Sequence, residues 1–346
     1  MEQKQALLGK TLSGLEEVAA DLAMPKFAAR QMADWLYKKH AADVGEMSNL
    51  SLKHRAALAA RYEVGLRPFS ALQKSADGTE KYLFEVGGAK QVCVESVVES
   101  VFIPEAGRAT LCLSSQAGCR MGCRFCMTAR MGFRRSLTSG EIINQIFSIP
   151  NSEKLSNLVF MGMGEPMDNI DSVLGSLEAI TAPWGMGWSP TRVTVSTIGV
   201  LPALQRFLSE SRCHLAVSLH SPFADERREL MPMQKAFPLE ETMALIRRYS
   251  WAGQRRVSFE YIMFAGVNDT PRHAAALARL LGGVECRVNL IRFHQLPDSP
   301  LKGSPTQAIE KFRDMLLQRK IITTIRASRG EDILAACGML SANAGK

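Results

Sequence analysis

The 346-residue sequence is 46% hydrophobic and 22% charged, with a formal net charge of +8. It reads as a soluble globular chain with room for one large domain and a small one. No apolar run approaches the roughly 20 residues of a membrane span, and the polar start "MEQKQALLGKTLSGLEEVAADLAMPKF" is not a signal peptide. A cytoplasmic location away from membranes is expected, and the basic excess favours a polyanionic partner such as nucleic acid.

Residues 1–75 carry apolar residues at helical spacing in "FAARQMADWLYKKH" and "LSLKHRAALAARYEV", with Lys38, Lys39, His40, Lys53, His54, Arg55 and Arg61 at polar positions. This pattern predicts a small basic helical domain for RNA binding, although it equally fits a solvated face. Residues 76–105 change to extended segments, "KYLFEVGG", "KQVCVESVVES" and "VFIPE", expected as a β-hairpin extension.

From 106 to 346 six strand-like runs alternate with helical ones. The strands are "ATLCLSS", "NLVFMGMG", "RVTVSTIG", "HLAVSLH", "RVSFEYIMF" and "RVNLIRF". Thr138 and Glu141 form a capping box at the start of the first helix, "SGEIINQIFSI". The fold class is therefore α/β, a partial (β/α)6 barrel with right-handed crossovers, or alternatively an open doubly wound sheet. Both architectures place ligands at the carboxyl ends of the strands.

Cys119, Cys123 and Cys126 lie in "GCRMGCRFCMTARMGF" at C-x3-C-x2-C spacing, with no adjacent fourth ligand. In a reducing compartment such a trio binds metal or does chemistry. A structural zinc wants four ligands, so it would need a distant partner such as His214 or Cys286. Three thiolates suit a four-iron cluster whose fourth iron keeps an open position. Cys93, Cys213 and Cys286 carry no chemical signal and are expected to pack.

The trio, with Phe125 before its last cysteine, resembles the radical S-adenosylmethionine signature. "RATLCLSSQAGCRMGCRFCMTARMGF", "GMGEPMDN" and "RGEDILAACGML" extend the likeness nearly end to end. Together they resemble the RlmN group of RNA methyltransferases, which act at carbon 2 of adenine, and the related Cfr enzymes, which act at carbon 8. The resemblance implies one [4Fe-4S] cluster on Cys119, Cys123 and Cys126, with S-adenosyl-L-methionine at the open iron. It implies cofactor contacts at Gly164, Glu165, Ser196, Ser218, Leu219 and His220. His294 stands where the family more often has asparagine, in "VNLIRFHQ", and Arg292 stands in place of a proline.

The implied substrates are 23S ribosomal RNA, at adenine 2503, and some transfer RNAs, at adenine 37. A thiol matching Cys337 takes a methyl group from one cofactor molecule, and a 5′-deoxyadenosyl radical from a second activates it. Cys112 then releases the product through a transient disulfide with Cys337, and Glu99 accepts the ring proton. A helix-hairpin-helix-like amino-terminal domain, a flavodoxin-type electron donor and a monomeric state complete the expectation. Arg120, Arg124, Arg130, Arg134 and Arg135, around the cysteine loop, are expected to meet RNA phosphates. A non-catalytic RNA-binding protein with a structural zinc is the rival of another class.

Overall fold

The structure, a computed structural model, describes residues 4–87, 97–251 and 255–342. The expected extended segment at 90–96, with Cys93, lies outside the described residues.

The chain opens with β1 (Gln5–Ala6), α1 (Leu12–Asp21), α2 (Ala28–Tyr37), α3 (Leu52–Arg61) and β2 (Tyr62–Glu63), and β1 pairs with β2 in parallel. Hydroxyl caps start two of these helices: Thr11 accepts from the Gly14 N–H at 3.3 Å and Ser51 from the His54 N–H at 3.2 Å. Each such cap stabilises its helix by about 1 kcal/mol. Leu15, Val18, Met32, Ala33, Leu36 and Leu58 close a small core that also takes in Ile143 and Ala179 of the larger body. Lys38, Lys39, Lys53 and Arg61 remain exposed.

One ten-stranded sheet makes up the rest. It begins with β3 (Ala71–Lys74), β4 (Glu80–Glu85), β5 (Val97–Glu105) and β6 (Arg108–Cys112), all antiparallel neighbours. A short antiparallel arm follows, β7 (Gln116–Gly118) and β8 (Phe133–Ser136), with α4 (Met127–Arg130) between them. Next come α5 (Ser139–Phe147), β9 (Asn157–Phe160), α6 (Ile170–Thr181), β10 (Val193–Thr197), α7 (Leu201–Glu210) and β11 (His214–Ser218). The chain finishes through α8 (Ala224–Leu230), α9 (Leu239–Arg248), β12 (Val257–Met263), α10 (Pro271–Leu281), β13 (Cys286–Arg292), α11 (Thr306–Leu317) and β14 (Ile322–Ile325). The sheet order is β14-β13-β12-β11-β10-β9-β6-β5-β4-β3, and the strands from β6 to β14 are parallel.

The six expected strand–helix units are therefore present, and a seventh parallel strand, β14, extends the row. The parallel strands follow one another in chain order with no reversal, unlike a doubly wound sheet, and the row stays open at β14 and β3, which makes the fold a partial barrel. One face of the parallel strands is lined by buried apolar residues in register, among them Leu215, Val217, Phe259, Tyr261, Val288 and Leu290, as a face covered by helices must be. The capping box forms at α5: Thr138 accepts from the Glu141 N–H, and the Glu141 carboxylate accepts from the Thr138 N–H at 2.8 Å. One expectation is corrected. The segments split at Ser100 and Val101 are the single strand β5, because Pro104 lies beyond the β4 register, which ends at Phe102, and removes no bond on that side.

Candidate active site

The cysteine trio does not follow β6 directly. It sits at the tip of the β7–β8 arm, whose neck is closed by glycine. The Cys119 N–H donates to Gly132 O at 3.1 Å, and a Cβ on Gly118 (φ +71°) would lie 1.8 Å from that same oxygen. Gly118→Ala is therefore expected to destabilise the protein by about 2 kcal/mol or more. Anaerobic thermal unfolding checks this, and an unchanged midpoint would contradict it.

Within the loop, the Arg124 N–H donates to Leu230 O at 3.0 Å and the Cys126 N–H to Cys123 O at 3.2 Å. Phe125 is buried edge-on against His220, with ring centroids 4.7 Å apart, and this anchors the loop to the barrel rim. Burial pushes the Cys119 thiol up to about 12, with added repulsion from Glu165 and Cys126. Burial raises Cys123 well above its ordinary value, with Cys126 and Cys119 adding to the shift. The thiols are thus close enough to influence one another, and a metal would take them as thiolates.

Among the described residues, no three or more His, Cys, Asp or Glu side chains, the cysteine trio included, are gathered around one point as a single metal ion would need. Four donors about 2.0–2.3 Å from one zinc are therefore not prepared here. His214 and Cys286 cannot complete such a site. They begin β11 and β13, at the amino ends of parallel strands, whereas the cysteine loop follows the carboxyl end of β6. His214 Nδ1 instead accepts the Arg256 N–H at 3.0 Å. Three neighbouring thiols without a fourth donor fit a polynuclear cluster, in which each thiolate holds a different iron.

The other expected residues line the carboxyl ends of the parallel strands, joined by a chain of hydrogen bonds. Gly164 (φ +98°) turns tightly against Gln116, 2.5 Å from where its Cβ would be. Glu165 is buried, its Oε1 accepting the Met167 N–H and its Oε2 the Ile198 N–H, both at 3.0 Å. Burial raises its carboxyl to about 7, against the pull of Thr197 and those amides. Ser196 is half-buried on β10, and Ser218 ends β11. Arg227 ties these strand ends together, donating to Ile198 O at 2.9 Å, Ser218 O at 3.0 Å and Leu219 O at 3.1 Å.

Leu219 is fully buried, and His220 adopts φ +56°. The His220 Nδ1 accepts the Ile262 N–H at 3.0 Å. Burial and the nearby Arg227 lower its pKa to about 3, which leaves the ring neutral. His294 lies just past β13, its Nε2 3.3 Å from Ser328 Oγ, and burial lowers its pKa.

The carboxyl-terminal tail then crosses this rim. Gly330 N–H donates to Asp77 at 3.0 Å, and Asp332 accepts from Ser75 Oγ at 2.6 Å. Further on, Gly338 O accepts the Met127 N–H at 2.8 Å and Leu340 O accepts from Thr128 Oγ1 at 2.7 Å. Ala336 and Met339 pack with Leu296. Between these anchors Cys337 is exposed.

Cys112 is buried at the end of β6, its thiol pushed up to about 12 by burial and then by Cys337. Glu99 is fully buried on β5, where its Oε2 accepts the Ser341 N–H at 3.0 Å. The tail thus joins the cysteine loop to Glu99, on the sheet face that also carries Cys112.

Several of the loop arginines are held within the fold. Arg120 pairs with Asp168 at 2.9 Å, Arg135 with Glu141 at 2.8 Å, and Arg130 donates to Pro297 O at 2.6 Å. Arg124 and Arg134 are exposed. Arg292 donates to Thr306 Oγ1 at 2.9 Å. Cys213 is buried and Cys286 half-buried against the main core. The sequence reading misses Lys81, whose ammonium lies 3.2 Å from Glu99 Oε1, and the buried Arg227. A lysine in an alternating strand and an arginine in "ADERREL" both carry the local signature of a solvated face.

Comparison with known proteins agrees with this geometry. Residues 113–278 match the Radical SAM superfamily, and residues 5–64 match the ribosomal RNA large subunit methyltransferase N-terminal domain. The chain is 56% identical over 340 residues to a protein of Porphyromonas gingivalis named "Probable dual-specificity RNA methyltransferase RlmN", covering 98% of this chain and 95% of that one. A "Dual-specificity RNA methyltransferase RlmN" of Syntrophus aciditrophicus is 40% identical, covering 96% and 95%. The crystal structure of a radical SAM methyltransferase from Sphaerobacter thermophilus superposes with a TM-score of 0.88 at 38% identity, covering 98% of this chain and all of that one. With the cysteine loop, the acid-bearing turn and the docked tail in one rim, and with relatives this similar along nearly the whole length, the chain belongs to the RlmN family of radical SAM RNA methyltransferases.

Proposed function

We propose that this enzyme methylates carbon 2 of an adenine in 23S ribosomal RNA and in some transfer RNAs. The observation that carries the reading is the tail. It bonds to the cysteine loop through Met127 and Thr128 and to Glu99 through Ser341, and its Cys337 adds to the upward push on the buried Cys112 thiol. An electron-poor ring carbon has no lone pair with which to displace a methyl group, so transfer has to be divided into steps through a covalent carrier.

Membership in the superfamily implies a [4Fe-4S] cluster and S-adenosylmethionine. Cys119, Cys123 and Cys126 would hold the cluster. Gly164, Glu165, Ser196, Ser218, Leu219, His220 and His294 would hold the cofactor along the strand ends. When bound, the pair supplies the methyl group and the one-electron chemistry that activates it.

The chain's own residues do the rest. Cys337, exposed at the rim, carries the methyl group and then the ring-linked methylene. Glu99 accepts the proton that leaves carbon 2. Cys112 attacks the Cys337 sulfur, so that an S–S bond forms as the C–S bond breaks, and the methylene carbon takes a proton to become the methyl product. The disulfide is reduced by a thiol donor before the next turnover. The exposed lysines and arginines of the amino-terminal helices suit gripping folded RNA by shape. The target adenine would leave its stack to reach the rim.

Two measurements test this. RNA treated with the anaerobically reconstituted, reduced enzyme and digested to nucleosides is expected to yield 2-methyladenosine. 8-Methyladenosine would transfer the chain to carbon-8 chemistry. Metal analysis is expected to find about four irons per chain, and protein containing zinc and never iron would sink the radical mechanism.

A further inference from the structure

Glu99 has a buried cation beside it that the steps above do not use. Lys81 Nζ lies 3.2 Å from Glu99 Oε1, with both side chains closed to solvent at 3% and 0% exposure. The register explains how they meet. On β4 and β5, Leu83 faces Glu99 and Lys81 faces Val101. On β5 and β6, Val101 faces Cys112. Residues two apart in a strand share a face, so Lys81, Glu99, Val101 and Cys112 line the same side of the sheet. Lysine reaches Glu99 diagonally, a span open to long side chains.

A buried ammonium is costly unless it is well paired, and the pair here lies against the tail. The carboxylate is faced by Lys81 from β4, by the Ser341 and Ala342 amides from the tail, and along the same sheet face by the Cys112 thiol of β6. Its own backbone is fixed as well. Glu99 O accepts from Ser114 Oγ at 2.5 Å, and the Glu99 N–H points to Met163 Sδ at 3.4 Å. The main chain is thus held by hydrogen bonds; Oε1 makes the ion pair with Lys81 and no hydrogen bond, while Oε2 accepts from the segment that carries Cys337.

We propose that Lys81 is the positioning residue of the base: its ammonium pairs with Oε1 and favours the carboxylate over the acid, leaving Oε2 as the oxygen that receives the ring proton. This rests on the assignment of Glu99 as proton acceptor. Lys81 touches neither RNA nor cofactor and acts only through Glu99. Burial raises the Glu99 pKa, and Lys81 is the largest opposing influence. Removing the ammonium therefore moves the titration to higher pH, and the acidic limb of product release moves with it.

The test compares wild type, Lys81→Met, Lys81→Arg and Glu99→Gln as reconstituted holoenzymes with RNA substrate, from about pH 6 to about pH 9. Intact mass reports methylation of Cys337 before RNA is added, which shows that each variant is folded and competent for the first step. Denaturing gels then report the protein–RNA adduct left when release fails. Lys81→Met is expected to methylate Cys337 normally, to accumulate adduct at neutral pH, and to release it with a limb shifted upward by about one pH unit or more. Lys81→Arg, which keeps the charge, is expected to stay near wild type, and Glu99→Gln to accumulate adduct at every pH. If Lys81→Met fails the first step, Lys81→Gln, which keeps a donor without charge, carries the same comparison. A variant lacking the ammonium whose release profile superimposes on wild type, while Glu99→Gln still accumulates adduct, overturns the role of Lys81. Normal release by Glu99→Gln overturns the base assignment instead.

Discussion

Cys337→Ala is expected to lose RNA methylation by at least about a thousandfold and to form no protein–RNA adduct, because the covalent carrier is gone before the ring is ever engaged. The fold is not expected to follow. Cys337 is exposed, and the tail is held by its neighbours: Gly338 O on Met127, Leu340 O on Thr128, and Ala336 and Met339 against Leu296. A substitution at such a position changes stability by no more than about 0.5 kcal/mol. Loss of turnover with an unchanged melting midpoint therefore reports on chemistry. Transfer of labelled methyl from the cofactor to RNA measures it, and a variant that turned over at the wild-type rate would remove Cys337 from the mechanism.

What could be read in advance follows the range over which each signal acts. The α5 capping box is closed within four residues, Thr138 to Glu141, and both of its bonds form. The six strand–helix units announce themselves by hydrophobic rhythm, and the cysteine trio by spacing. β14 has no such rhythm: "IITTI" leaves Thr324 and half of its residues outside the core. It is a strand because Arg287 to Leu290 of β13 offer it a parallel edge.

Lys81 and Glu99 are legible only as a pair. Each alone, in an alternating strand, carries the pattern of a solvent-facing charge, and only the β4–β5 register makes them neighbours. Arg227 is similar. In "ADERREL" it belongs to a charge run, yet in the fold its guanidinium serves three backbone carbonyls at the ends of β10 and β11 and bonds to Gln234. Backbone carbonyls have no signature in sequence. The tail shows the limit most clearly. Its "SRGEDILAACGML" has no helical or strand period, and its position is set by contacts with residues more than two hundred positions earlier, at Asp77, Glu99, Met127 and Thr128.

The second large effect belongs to Cys112. Cys112→Ala is expected to complete the early steps and stop at the last one, leaving enzyme covalently bound to RNA. The thiol is buried, and burial with the nearby Cys337 pushes it up to about 12 while Arg326 opposes the shift. It is therefore neutral and protected at rest, as suits a group that acts only once its partner carries product. Closing a disulfide needs Cα atoms within about 7 Å, and only the docked tail can bring Cys337 that close to β6. Alanine at this site removes one sulfur from the core, a loss of about 1 kcal/mol that the fold should absorb. The adduct is then expected to approach one RNA per chain, to appear as a nuclease-sensitive shift on a denaturing gel, and to vanish in the Cys112→Ala, Cys337→Ala double variant. Free, methylated RNA released by Cys112→Ala at the wild-type rate would mean that some other group breaks the carbon–sulfur bond, and the pairing of these two cysteines would have no part in release.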